Sequence, residues 1–510
     1  MDTLEFLEHL FAYNEDSAIT FTRLAFWIFF AALLVGYQLV YRKLSVARSL
    51  YLLLFSIFFY YKSSGMYFAL LLFSTVLDFN LAHAIHRSSS ERKRKLLLAA
   101  SVTVNLGLLA YFKYAYFITG IVNSALGTDF HVVNVFSAAV NMLAGNEKFE
   151  LDKLILPIGI SFYTFQILSY TIDVYRRQLK PLSSLIDFGF YVSFFPSLVA
   201  GPIVRASDFV PQIHKDYSLT RREMWLAAWL IVGGLVKKMV VSDYISLNFV
   251  DRIFDDPLLY SGFELLMGVY GYAIQIYCDF SGYTDVALGV ALLLGFRLPP
   301  NFNSPYKAAS VRDFWQRWHI SLSRWLRDYL YIPLGGNRHG KLRTYLNLML
   351  TMLLGGLWHG ASGKFVVWGG LHGLALVAGR LANTLKANTR LASWRMPRAL
   401  GVLLTFHFVC LAWTFFRAAN LAAALDILHR IGSEFYVSII PDVVAGYGSV
   451  FALMGLAYLL HVLPQRLKVG YREAFLRLPD AVKMLLIAIA IFCIYQVASS
   501  ELQPFIYFQF

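Results

Sequence analysis

Charge is what this 510-residue chain has least of: 15% of its residues are charged, against about 25% in an average soluble domain. Apolar residues fill the deficit, at 58% hydrophobic and 16% aromatic, and the balance is that of a membrane protein. Cysteine is nearly absent. Cys278, Cys410 and Cys493 lie far apart in apolar surroundings, without the CxxC spacing of a zinc or redox site, so neither a disulfide framework nor a metal centre is expected. No repeat of fixed period, long linker or soluble domain is visible. The start "MDTLEFLEHLFAYNEDS" is acidic and lacks the basic n-region and cleavage site of a signal peptide, so the first span is expected to stay as an anchor.

What is present is a series of apolar runs approaching the ~20 residues that cross a ~30 Å hydrocarbon core. They begin with "LAFWIFFAALLVGYQLVY" at 24–41 and end with "AVKMLLIAIAIFCIYQVA" at 481–498. The formal charge of +14 comes from Lys and Arg in short blocks between these runs. That pattern fits anionic lipid and the positive-inside rule, and no nucleic-acid partner is expected. Read by that rule, "RKLSVAR" (42–48), "RSSSERKRK" (87–95), "RRQLK" (176–180), the stretch 299–343 and "RLKVGYREAFLR" (466–477) are inside, and "DRIFDDP" (251–257) and both termini are outside. The expectation is an all-α polytopic protein with about eleven to thirteen spans. The chain reads as one integral-membrane domain over 1–510: N-terminal spans in 1–150, a motif-bearing core in 151–380, and C-terminal spans with an extracytoplasmic tail in 381–510. Within it, "DFGFYVSFFPSLVAGPIVRASD" carries Pro196 and Gly201-Pro202 and reads as a broken, re-entrant element lining a protein cavity.

Three places carry candidate chemistry. In "MLLGGLWHGASGK" (352–364), His359 sits at the end of an apolar run only ~22 Å long as a helix, so the ring is expected within the membrane thickness. A histidine there is either used or packed against a carbonyl. His372, in the next run, reads mainly as a packing histidine and is a secondary candidate. In "YCDFSGYTDVALG", Asp279 and Asp285 are carboxylates in apolar context; they are functional suspects or caps of a helix broken at Gly282, and either way shape a cavity. In "SVRDFWQRWHISLSRWLRDYLYIPLGG", apolar residues recur at helical spacing, with Arg312, Gln316, His319, Ser323 and Arg327 on the opposite face. That is the pattern of an amphipathic helix in the membrane interface. His319 on its polar face is placed to line the inner mouth of a passage toward His359. Arg312, Arg317 and Arg327 belong to a stretch with eight Lys or Arg against two Asp, suited to drawing in an anionic cytosolic donor.

These motifs, with "FYTFQILSYTIDVYR", "FFPSLVAGPIVR", "NFNSPYKAAS", "GGLWHGAS" and the terminal "FIYFQF", resemble the membrane-bound O-acyltransferases, specifically the bacterial alginate O-acetylation branch. The likeness covers most of 150–380 and the extreme C-terminus. It implies a multi-pass helical fold in the bacterial inner membrane with a thin central partition. It also implies a cytosolic donor, acetyl-coenzyme A or an acyl-carrier thioester, rather than a bound cofactor, together with an extracytoplasmic acceptor and periplasmic acetyltransferase partners. By the same resemblance His359 matches the catalytic histidine and His319 the second motif histidine, while the tail Tyr507 is a candidate acyl relay. Related branches transfer D-alanine to teichoic acid or acetyl groups to peptidoglycan. A proton or solute transporter is the reading from a different class, and the lack of inverted repeats weighs against it. A haem or metal protein is disfavoured because no pair of these histidines has i, i+4 spacing.

Overall fold

The structure, a computed structural model, describes residues 13, 18–40, 45–145, 150–198, 201–387, 389 and 396–497. Among them every regular element is helical. The first part holds α1 (Leu24–Val40), α2 (Ser45–Ser64), α3 (Phe68–Arg87), the long α4 (Glu91–Leu126) and α5 (Val135–Ala144). The middle holds α6 (Ile160–Tyr175), α7 (Leu185–Ser193), α8 (Ala206–Ile213), α9 (Arg221–Asp255), α10 (Gly262–Leu293), α11 (Val311–Trp315), α12 (Ile320–Trp325), α13 (Gly340–His359) and α14 (Gly363–Ala387). Last come α15 (Arg398–Arg417), α16 (Leu421–Ser433), α17 (Gly448–Val462), α18 (Gln465–Arg477) and α19 (Asp480–Val497).

Six described helices are long and apolar enough to cross a membrane, and a bent pair, Val437–Gly446 with α17, turns through 90°. The chain is therefore a multi-pass membrane protein. The count of about eleven spans is reached only if helices at the protein's centre are included, and those need not be apolar all round because their neighbours are other helices. Thus α6 has 16 residues and is buried along almost its whole length, and α10 buries its carboxylate Asp279 among other helices.

Buried polar groups tie these helices together. Asp78 of α3 is fully buried and accepts from Ser101 and Asn105 of α4 and from Thr171 of α6, which joins three helices through one carboxylate. Both α9 and α10 open on capping boxes, Thr220 with Glu223 and Ser261 with Glu264, the reciprocal pairing that satisfies the first free N–H groups of a helix.

The break expected at Gly282 is absent: α10 runs without interruption for 32 residues. The glycine serves a close crossing instead. A Cβ on Gly282 would meet the Gly234 carbonyl of α9 at 2.7 Å, and one on Gly234 would meet the Gly282 carbonyl at 2.5 Å. The region of Pro196 is broken as expected, into α7, a single turn Phe195–Leu198 and α8. Phe194, Phe195, Leu198 and Ile203 there are all buried, so the irregular backbone is enclosed by protein.

The single amphipathic helix expected over 310–336 is also absent. The segment divides into α11 and α12, with Gln316–His319 between them and His319 in a left-handed backbone conformation, φ 43°. Periodicity reads burial pattern and not continuity, and buried Trp318, Leu322 and Trp325 supply the same pattern across a break.

Candidate active site

His359 is the last residue of α13 and is 3% exposed. Its helix crosses α14 with no side chain between them: a Cβ on Gly356 would meet the Phe365 carbonyl at 2.2 Å, and one on Gly369 would meet the Met352 carbonyl at 2.3 Å. Glycine is required at both positions by that approach. Gly360 then leaves the helix in an extended conformation, and a Cβ there would strike the Phe365 ring at 2.1 Å. Trp358, Trp368 and Phe416 surround the imidazole edge-on, with ring centroids 5.0, 5.0 and 5.3 Å away.

His319 lies on the other side of Trp358, 6.1 Å from that ring, and is fully buried. Its Nδ1 is 3.2 Å from Asn301 Oδ1, which also accepts from the Ser321 backbone N–H at 3.1 Å and the Ser321 hydroxyl at 2.9 Å. An amide oxygen only accepts, so in the neutral ring His319 Nδ1 is the protonated nitrogen and Nε2 holds the lone pair. Left-handed backbone at a histidine is uncommon and places the ring where a helical residue could not reach.

His372 of α14 has the opposite arrangement. The Trp315 indole N–H donates to its Nδ1 at 3.3 Å, which puts the proton of the neutral ring on Nε2. Phe314, Trp315, Trp368 and Phe408 pack around it. The three histidines therefore form a row, His319–Trp358–His359–Trp368–His372, buried in aromatic side chains.

The structure does not bring the carboxylates into this row. Asp279 is ion-paired with Lys238 of α9 at 2.6 Å, and Lys238 also reaches Asp243 at 2.8 Å. Asp285 pairs with Lys237. One residue along α10, Phe280 packs edge-on against His319 at 4.7 Å. Successive helix positions point about 100° apart, so α10 presents its charge to α9 and its aromatic ring to the histidines. Nor do the arginines share a face with His319. Arg312 and Arg327 are exposed, Arg317 pairs with Asp313 at 2.7 Å, and Arg327 with Asp328 at 2.6 Å. Burial would raise the Asp328 carboxyl, but hydrogen bonds from Arg327 and Arg205 outweigh it and hold it below the ordinary range. The break after Trp315 explains the scatter, because the predicted face exists only on a continuous helix.

Sequence reasoning missed Asn301, the partner of His319, and the lysines Lys237 and Lys238. Asn301 opens the "NFNSPYK" motif and so was visible, but nothing in one sequence shows that it meets a residue 18 positions later. Tyr507 and the tail lie outside the described residues. Among the described residues no three His, Cys, Asp or Glu side chains converge as metal ligands.

Compared with known proteins, residues 10–425 match the family model of MBOAT, the membrane-bound O-acyltransferases. The chain is 40% identical over 423 residues to a peptidoglycan O-acetyltransferase of Helicobacter pylori, covering 77% of this chain and 76% of that one. It is 41% identical over 359 residues to the probable alginate O-acetylase AlgI of Pseudomonas aeruginosa, covering 70% and 64%. A teichoic acid D-alanyltransferase of Bacillus subtilis is 30% identical over 280 residues, 52% and 69% of the two chains.

Proposed function

The chain belongs to the membrane-bound O-acyltransferase family, and on that premise we propose that it moves an acetyl group from a cytosolic thioester toward an extracytoplasmic polysaccharide such as alginate, with His359 as the general base. The observation that carries this is the place of His359: a buried imidazole at a helix end, walled by aromatic rings, with a second buried imidazole beyond Trp358. Water-poor surroundings favour transfer to a hydroxyl over hydrolysis. In the step, the imidazole takes the proton of an acceptor hydroxyl as its oxygen bonds to the acyl carbon. The carbon–sulfur bond then breaks, and the thiolate leaves with that proton returned to it. His319 supports the step through Nε2, the nitrogen that Asn301 leaves as acceptor.

Acetyl is favoured over D-alanyl because the relatives named for O-acetyl transfer are matched at 40–41% identity over 70% or more of this chain, and the D-alanyltransferase at 30% over 52%. The donor is acetyl-coenzyme A or an acyl-carrier thioester, the membrane is the bacterial inner membrane, and periplasmic acetyltransferases complete transfer to the polymer. The test is reconstitution of the chain with acetyl-coenzyme A on the cytosolic side and alginate or peptidoglycan on the other, with and without those partners. Labelled ester is expected on alginate only when partners are present and His359 is intact. Ester formed at the wild-type rate by a folded His359→Ala protein overturns the role of His359. Ester on peptidoglycan alone overturns the choice of polymer.

A further inference from the structure

The C-terminal end of α13 is not closed by its own chain in the usual way. Helices commonly end on a left-handed residue whose N–H groups turn back onto the last carbonyls. Gly360 is extended instead, φ −171° and ψ 155°, and its N–H meets only the Leu357 carbonyl, at 3.2 Å. The other donors come from α4, a helix of the N-terminal part. The Tyr114 hydroxyl donates to the Leu357 carbonyl at 2.6 Å, and the Lys113 ammonium donates to the carbonyls of Trp358 at 2.6 Å and His359 at 3.1 Å.

We propose that Lys113 is a positioning residue for acyl transfer, holding the backbone of Trp358 and His359 and offsetting the negative end of the α13 dipole beside the reacting carbonyl. The inference rests on His359 as the base. An ammonium within the apolar span Glu91–Leu126 is costly to desolvate. A neutral hydroxyl caps a carbonyl at less cost, as Tyr114 does one residue earlier, so what the ammonium adds is charge. A helix C-terminus bears roughly half a negative charge, and here it lies at His359. Acyl transfer gathers negative charge on the thioester carbonyl as the hydroxyl adds, and an uncompensated helix end would oppose that charge. The cation bound to the last two carbonyls removes the opposition in the transition state. It also repels the positive charge that the imidazole gains there, so the role assigned to Lys113 requires the developing oxyanion to lie nearer the ammonium than the imidazole does. Loss of the cation therefore acts on kcat and not on KM.

The experiment uses membranes containing the full chain and its partners, with labelled acetyl-coenzyme A as the probe. Lys113→Met keeps the stem and removes the charge. It is expected to lower kcat by about tenfold or more with KM within about twofold. Lys113→Arg, which restores charge and donors, is expected to return kcat to within about threefold of wild type. Tyr114→Phe, which loses only a neutral donor, is expected to fall less than Lys113→Met. Full kcat in folded Lys113→Met overturns the proposal, as does Lys113→Arg no better than Lys113→Met. If Lys113→Met does not accumulate, Lys113→Gln takes its place, and failure of both assigns the lysine to folding and overturns the proposal. His359→Ala run alongside separates the two ideas. If that variant is active, the base reading fails; if it is inactive while Lys113→Met is at full kcat, only the role of Lys113 fails.

Discussion

Two polar clusters are buried in the same helical body and are built in opposite ways. In one, Lys238 of α9 lies between Asp243 and Asp279, each within hydrogen-bonding distance, so charge is met by charge across the α9–α10 crossing. In the other, three imidazoles are separated by tryptophans, with no carboxylate from α10 among them. The first arrangement has every reason to stay as it is: removing one member strands the others in a medium that cannot solvate them. The second holds its imidazoles among aromatic rings, the setting in which the proposed base would act. Asp279 and the three histidines were all suspects in the sequence, and the difference between them is one of partners.

That contrast can be broken at several points. His359→Gln is expected to lose about 10³-fold or more in acyl transfer, at the upper range for a general base, while thermal melting of the purified protein stays near wild type. A parallel fall in melting temperature would move His359 into the structural class. Lys238→Met is expected to destabilise by about 3–5 kcal/mol, the cost of breaking a buried pair, read as loss of accumulated protein; a well-folded Lys238→Met with altered transfer kinetics would erase the distinction. His319→Asn keeps a donor near Asn301 and removes Nε2. A fall of about 10- to 100-fold is expected, and full activity would reduce His319 to a support for the Asn301 turn. His372→Asn is expected to leave transfer within about threefold. The smallest effect belongs to the rim. Asp328 is held below its ordinary range, so its contribution is present above the unfolded carboxyl pKa of about 3.9 and is lost as pH falls through the lower folded value. Asp328→Asn is expected to cost no more than about 1 kcal/mol at neutral pH, and its melting temperature should converge with wild type in strong acid.

The helical class, the membrane character and the motif histidines were legible because they depend on composition and short spacing. His359 could be singled out from the length of one apolar run. What was not legible depends on a third dimension. A histidine with left-handed backbone interrupts a helix whose periodicity continues past it, so the arginine face drawn from that periodicity did not form. Gly282 looked like a break because glycine is a poor helix former, whereas its neighbour on α9 needed the space. Lys113 sits outside the motif-bearing stretch 150–380, and it meets Trp358 from 245 positions away.

The glycine seam between α13 and α14 has a consequence for motion. Side chains that interdigitate can change rotamer and let helices slide, which is how shear movements begin. At Gly356 and Gly369 the two backbones touch directly, and no rotamer stands between them to be changed. The spacing of the helices bearing His359 and His372 is thereby fixed, because any side chain added at either glycine would have to push the two backbones apart. Under the proposed function, the travel that brings donor and acceptor together then falls to the substrates and not to a change in the distance between these two helices.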